Sequence, residues 1–432
     1  MVRLTRDTAP FRNVLGVLVV AALTLVLTGC WDRREVESLA FVTATGIDLD
    51  DATDPGVTGI RAADTTRFRI VVEIANAGGG GGTDPGASGA RAGVSQPTML
   101  GFGVGVTPFD ALQDIQAGLG RTLFVAHNRV VVVSAEIPRN QKLPQVFDYF
   151  ERSPQARGNA LLVFADGIPA AEVIAATAPV SGRSGSALYD LIQTTHTEHG
   201  TPLVTIREFL VRSSLEGIDP IAGRIVRGTR TAAGGAEGAG SLGPVPQAVP
   251  PVRLSGVALF RGDTYVGSLD EAETKGLLWA IGQVKDSFID VPCPGAPEHS
   301  FTYLVQRSSG KVSLTLQPAL RGRIAIVMEG RLADVECPRT AFDVTTASVD
   351  DAHAQLKRRI EESVRGAVDK TQRLGVDPFG FGAALHRNAP ERWHEVRDEW
   401  FDTIWPRLPV DIEVTVDIRR PGLVGPGSNV NR

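Results

Sequence analysis

Only three of the 432 residues are cysteine, and no two of them stand as CxxC. That excludes a disulfide-stapled scaffold, a zinc ribbon and a thioredoxin-like redox centre. Basic charge is in short supply as well. The 44 Lys and Arg face 49 Asp and Glu, a formal balance of −5, so there is no general positive field to attract nucleic acid. What is present, 43% hydrophobic and 22% charged residues, is the composition of a packed globular protein, neither a disordered tail nor a polytopic membrane protein.

The chain opens with a processing signal. Arg3, Arg6 and Arg12 form a positive n-region, and the apolar run Val14–Leu27 has 14 residues where a spanning helix needs about 20. The run ends in Leu27-Thr28-Gly29-Cys30, which is similar to a bacterial lipobox. In such a signal the cysteine sulfur receives a diacylglyceryl group and the preceding peptide bond is cut. Cys30 is therefore expected to be the lipidated first residue of the mature chain, and two acyl chains suffice for stable anchoring to a membrane without crossing it. Loss of residues 1–29 removes Arg3, Arg6, Arg12 and Asp7, leaving the mature chain two units more acidic than the whole. Anionic lipid gives such a domain no electrostatic hold, so the acyl group must supply it.

Along the mature chain, Ala40–Ile47 reads as a strand, and Arg67–Ile74 as a half-buried strand with Phe68, Ile70, Val72 and Ile74 on one face. Gly78–Ser95, with five consecutive glycines, reads as a surface loop. Pro108–Leu119 has helical spacing and Gly120 as its stop. Val130–Val133 is apolar at consecutive positions, as in a central strand. Leu143–Arg152 and Pro169–Ala176 read as helices, Asn159–Phe164 as a strand. Gly228–Pro251 is glycine- and proline-rich and marks a loop or linker. Val257–Phe260 and Tyr265–Leu269 predict a hairpin around Arg261-Gly262-Asp263-Thr264, followed by a short helix at Ala272–Ile281.

In the last block, four alternating runs (Phe301–Val305, Val312–Leu316, Ile324–Met328 and Val410–Ile418) predict an antiparallel sheet with one wet face. The stripe Leu356, Ile360, Val364 and Val368 predicts an amphipathic helix over Ala352–Arg373 that covers the other face. The fold class expected is α+β, three mixed domains with mainly antiparallel sheets. Their expected limits are 1–29 for the signal peptide, 30–198 for an N-terminal domain, 199–290 for a middle domain carrying the insert 228–251, and 291–424 for a C-terminal domain.

Motifs that would carry chemistry fail on their context. Gly238-Ala-Gly240-Ser-Leu-Gly243 matches GxGxxG, but it follows an alanine-glycine loop and runs into Pro244, without the strand and helix a dinucleotide site needs. His196-Thr-Glu-His199 is neither HExxH nor HxxEH and reads as a polar loop. Asp48, Asp50, Asp51 and Asp54 suggest a calcium loop until the twelfth position, Gly59, where a glutamate is required; a solvated turn is the expectation. Gly182-Arg-Ser184-Gly185 lacks the final glycine of a nucleophile elbow. The Arg-Gly-Asp tripeptide needs no ligand as a hairpin turn. Cys293 and Cys337 lie where disulfides persist if the domain is exported. A bridge between them, worth about 4 kcal/mol by loop entropy, and two free thiols are both compatible with the sequence.

Gly29-Cys30-Trp31-Asp32-Arg33-Arg34-Glu35-Val36-Glu37 and the following Ala40 to Asp48 resemble the start of mature Ger(x)C-family spore germination lipoproteins. The resemblance continues in Ala126-His127-Asn128-Arg129 to Ser134, Asp148-Tyr149-Phe150-Glu151-Arg152, Gly256 to Phe260, Gly267-Ser268-Leu269 and Glu273 to Trp279. It ends in Asp377-Pro378-Phe379-Gly380-Phe381-Gly382 and Trp393 to Trp400. It implies three α+β domains and a lipid anchor at the outer face of the spore inner membrane. It also implies a non-enzymatic role in nutrient-triggered germination as the C subunit of a germinant receptor, assembled with membrane A and B subunits. No cofactor or metal is implied. Cys293 and Cys337 are not part of the family pattern. The alternative is a lipid-anchored solute-binding protein that captures the germinant in a pocket between two similar lobes, although no two-lobe repetition is visible. An enzyme acting on cortex peptidoglycan ranks after both.

Overall fold

A computed structural model describes residues 35–50, 67–75, 98–177, 186–228, 252–284, 287–293, 296–338 and 346–420. The long loop 78–95, the insert 228–251 beyond its first residue, the GxGxxG letters, Ser184, Asp51 and Asp54 lie outside these residues, as do Cys30 and the signal peptide. The fold is α+β, built on two sheets.

Among the described residues the first sheet holds nine strands: β1 Leu39–Asp50, β2 Arg67–Ala75, β3 Thr98–Gly105, β4 Thr122–Phe124, β5 Val130–Ser134, β6 Leu161–Ala165, β7 Ile221–Arg227, β8 Val252–Arg261 and β9 Thr264–Leu269. Their order is β3-β2-β1-β5-β6-β7-β8-β9, with the short β4 pairing parallel to the start of β1. The centre, β1-β5-β6-β7, is parallel, while β2, β3, β8 and β9 extend it antiparallel on both sides. A parallel centre must be covered on both faces. Helices α1 Pro108–Leu119, α2 Leu143–Arg152 and α5 Ile206–Ser214 bury Leu112, Ile115, Val146 and Phe209 on one face. On the other face, α3 Ala170–Thr177 and α4 Ser186–His199 bury Val173, Ile174, Leu188 and Ile192.

This double cover corrects two expectations. β2 is not half-buried, since Val71 and Glu73 are buried as well as Phe68, Ile70, Val72 and Ile74, because α3 lies over the second face. His196-Thr-Glu-His199 is the end of α4, not a loop, with Leu188 and Ile192 of the same helix in the core and His196 Nδ1 bonded to the Thr201 carbonyl. The acidic stretch after Ile47 is also not a solvated turn at its start. Asp48 and Asp50 are buried on β1, and the Asp48 carboxylate accepts the Ala170 and Ala171 N–H groups at 2.7 and 2.9 Å, which caps α3 from across the sheet.

The second sheet is β10 Ser287–Cys293, β11 Ala296–Thr315, β12 Arg321–Val335 and β13 Val410–Arg420, in that order. Two of the alternating runs, Phe301–Val305 and Val312–Leu314, belong to the single long β11, and the strand beside it is β10, with Ser287, Ile289, Val291 and Cys293 pointing inward. β13 runs parallel to β12, not antiparallel, because the chain returns through a long helical crossover. That crossover starts with α7 Thr346–Leu374, whose Leu356, Ile360, Val364 and Val368 share a core with Tyr303, Val305, Ile324 and Ile326. The opposite face is wet and carries the ladder Arg321–Asp411 and Arg323–Glu413. Cys293 and Cys337 are joined by a disulfide, with Cα atoms 5.6 Å apart, from the end of β10 to the segment after β12.

The two sheets share one hydrophobic core. The hinge of contact is helix α6 Glu271–Ala280, which follows β9, buries Leu277, Leu278 and Trp279, and is held to α7 by a 2.6 Å ion pair from Lys370 to Glu273. Two short helices, α8 Phe381–Asn388 and α9 Pro390–Val396, follow α7 in the crossover and pack on each other, with α8 also against β11.

Candidate functional site

Cys30 lies outside the described residues, but the chain resumes close to it. A short turn at Val36–Ser38 leads into β1, whose first residue, Leu39, pairs with Thr122 of β4. Any anchor at Cys30 therefore enters the molecule at the start of a central strand. Among the described residues, no helix is long and apolar enough to cross a membrane.

Beside that entry point is a groove of about 860 Å³ between α1 and α2. One wall is the α1 stripe Phe109, Leu112, Gln113 and Gln116, and the facing wall is the α2 stripe Gln145, Asp148, Tyr149 and Arg152. Thr122, Leu123 and Val125 close its floor. The position of α1 is set by glycine. Gly101, Gly103 and Gly105 of β3 all face it, and a Cβ at Gly103 would run into the Ala111 carbonyl, at Gly105 into the Ala111 N–H. Thr107 caps the helix by accepting the Asp110 N–H at 3.1 Å, and Gly120 ends it in a left-handed conformation. The groove's charged groups, Asp148 and Arg152, pair with each other at 2.6 Å, so its walls carry no net charge.

Leu112, Val125 and Tyr149 also line a smaller chamber of about 10 Å³, roughly the space of one water. Asn128 reaches this chamber. Its Nδ2 donates to the Thr45 hydroxyl at 3.0 Å, while its buried Oδ1 has no partner among the described residues. The neighbouring Arg129 lies over the Tyr189 ring at 3.6 Å. The two family stretches Ala126–Ser134 and Asp148–Arg152 thus meet at the inner chamber, through Asn128, Tyr149 and Phe150.

The third stretch forms a buried acidic hub between the sheets. Asp377 is fully buried, and its carboxylate accepts the N–H groups of Gly380 at 2.9 Å and Gly382 at 2.8 Å, together with Trp400 Nε1–H at 3.2 Å. Asp219, from the turn after α5, accepts the Asp377 N–H at 2.9 Å and the Gly262 N–H at 3.3 Å. Burial pushes the Asp377 carboxyl up to about 7, with the nearby Asp219 adding to the effect. Burial likewise pushes Asp219 up to about 6. Arg212 donates to the Pro378 carbonyl at 2.6 Å, and Trp405 Nε1–H to the Val376 carbonyl at 2.6 Å. The hub joins α5, the β8–β9 hairpin and the loop before α8. Because its acceptors are spent on backbone and indole N–H groups, it is organised for holding rather than for proton transfer.

No group of three His, Cys, Asp or Glu placed to hold a metal is found among the described residues. The Arg-Gly-Asp turn serves the fold, since Arg261 makes a two-point pair with Asp402 at 2.6 and 3.0 Å. Sequence reasoning missed the groove and the hub. The signal for the first was the alternation Gly101-x-Gly103-x-Gly105, which tells of a helix pressed on a strand. For the second, Asp219 has no local signal, since its partner is 158 residues away.

Comparison with known proteins agrees with this architecture. A family model described as the spore germination protein N-terminal domain matches residues 32–227, and one described as Spore germination B3/GerAC like, C-terminal, matches residues 255–422. Spore germination protein KC of Bacillus subtilis is 25% identical over 420 residues, covering 95% of this chain and 96% of the relative. Spore germination protein B3 of the same organism is 22% identical, covering 94% of this chain and 98% of the relative. The crystal structure of the GerBC protein shares the fold with a TM-score of 0.51 at 15% identity, over 87% of this chain and 97% of that one. The chain belongs to the Ger(x)C family of spore germination proteins.

Proposed function

We propose that this chain is the lipid-anchored, non-enzymatic C subunit of a spore germinant receptor, required for nutrient-triggered germination through assembly with membrane A and B subunits. The observation that carries the reading is the position of Cys30. It follows a 14-residue apolar run and stands two residues before the N-terminal family match begins. Acyl chains on Cys30 confine the protein to the outer face of the spore inner membrane and raise its effective concentration beside its partners. A non-enzymatic role is supported by the hub, whose strongly shifted carboxyls are committed to main-chain N–H groups.

The test is Cys30→Ala in the native organism. The protein is expected to move from the membrane fraction to the soluble fraction, with loss of the germination response to nutrients. Full membrane retention of the variant would overturn the anchor.

A further inference from the structure

We propose that the groove between α1 and α2 receives an apolar-faced amphipathic helix from an integral-membrane partner, lying along the membrane surface. This rests on the lipid-anchor reading above. The shape of the groove is the first argument. Its walls are helical stripes of equal length, Phe109 to Gln116 on α1 and Gln145 to Arg152 on α2, each about two turns or 12 Å long. Two helices lying on a sheet with an apolar cleft between them present the surface that a third helix packs against. The side chains give the second argument. Phe109 is 58% exposed at the rim of the groove, above an apolar floor of Leu112, Leu123 and Val125, which are themselves buried.

Charge is the third argument. Gln113, Gln116 and Gln145 are neutral and Asp148 is neutralised by Arg152, so the groove suits an uncharged apolar stripe and offers nothing to an anionic or cationic segment. Position is the fourth. Thr122, on the groove floor, pairs with Leu39, and only four residues, five steps of the chain, separate Cys30 from Glu35. A stretch of that length spans at most about 17 Å, so an anchored molecule holds this end near the headgroups, within reach of a helix at the interface but not of one in a distant soluble protein. The glycine seam between β3 and α1 keeps the cleft preformed, which lowers the ordering cost of docking.

The experiment uses the full-length lipoprotein in spore membranes. A photo-crosslinking residue at Gln113 is expected to capture a polytopic polypeptide, with mass spectrometry mapping the crosslink to an apolar-faced helix at its membrane boundary. The same probe at Phe288, an exposed aromatic of the second sheet, is the control and is expected not to capture it. Phe109→Glu with Gln113→Glu is expected to lower recovery of that polypeptide after detergent extraction at least tenfold, while membrane retention through Cys30 is unchanged.

Crosslinks only to lipid, only to a second copy of this chain, or none at Gln113 would overturn the proposal. So would undiminished co-purification of the double variant. Release of the unaltered protein from the membrane would instead refute the anchor reading, and because retention and co-purification are read separately, the two failures are distinguishable.

Discussion

At the scale of single residues, the molecule's most demanding position is Asp377. Its carboxylate satisfies three N–H groups in a site without access to solvent, so Asp377→Ala leaves three buried donors orphaned. Each such loss costs about 1–3 kcal/mol. The variant is expected to be destabilised by about 3 kcal/mol or more, read as a lower urea midpoint with unchanged slope.

The same pair sets a pH dependence. Both carboxyls titrate above their ordinary value of 3.8, Asp219 at about 6 and Asp377 at about 7, because burial disfavours the charged form. Between about pH 4 and 7 the folded state therefore holds protons that the unfolded chain has released. The stability from these groups is full at the acid end and is lost as pH rises through their folded values. The melting temperature is expected to fall from pH 5 to pH 7.5. Asp219→Asn is expected to be less stable, since its amide cannot accept both N–H groups, but flatter across that window. A melting temperature that rises over the same range would refute this assignment.

At the scale of elements, local pattern was a good guide wherever a segment's partners were its own neighbours in sequence. The bounds of α1 and α2 are those the spacing predicts, because Pro108, Thr107 and Gly120 fix one helix and a strong apolar stripe the other. The hairpin of β8 and β9 likewise turns at Gly262. Alternation could not tell that two runs form one long β11, nor that β13 lies parallel to β12, because period two records which face is buried and not which strand is adjacent.

Two substitutions test the element contacts. Asp48→Ala removes the cap of α3 from β1 and is expected to cost about 1–2 kcal/mol, measured by chemical denaturation. Gly103→Ala pushes α1 away from β3, since the new methyl meets the Ala111 carbonyl and Ile115. A cost of about 1–3 kcal/mol is expected, with faster amide exchange in α1 as its local signature.

At the scale of the whole molecule, the two sheets are one mechanical body. They share a core and are bolted by the Asp219–Asp377 hub, by Lys370–Glu273 and by Arg261–Asp402. The disulfide joins positions 44 apart in sequence in the second sheet. Replacing both Cys293 and Cys337 with Ser is expected to lower stability by up to about 4 kcal/mol, seen as a reduced denaturant midpoint that no longer responds to reducing agent.

The sequence alone determined the family, the fold class and the candidate anchor, because each is carried by residues contiguous in the chain: an apolar run before Cys30, short motifs in fixed order, and periodic apolar positions. Tertiary structure decided the rest. Whether Asp48 is solvated or caps a helix, whether Asp377 finds Asp219, and whether α1 and α2 leave a cleft depend on groups brought together from far along the chain. Such contacts are selected by the packing of whole faces against each other, and no local period encodes them.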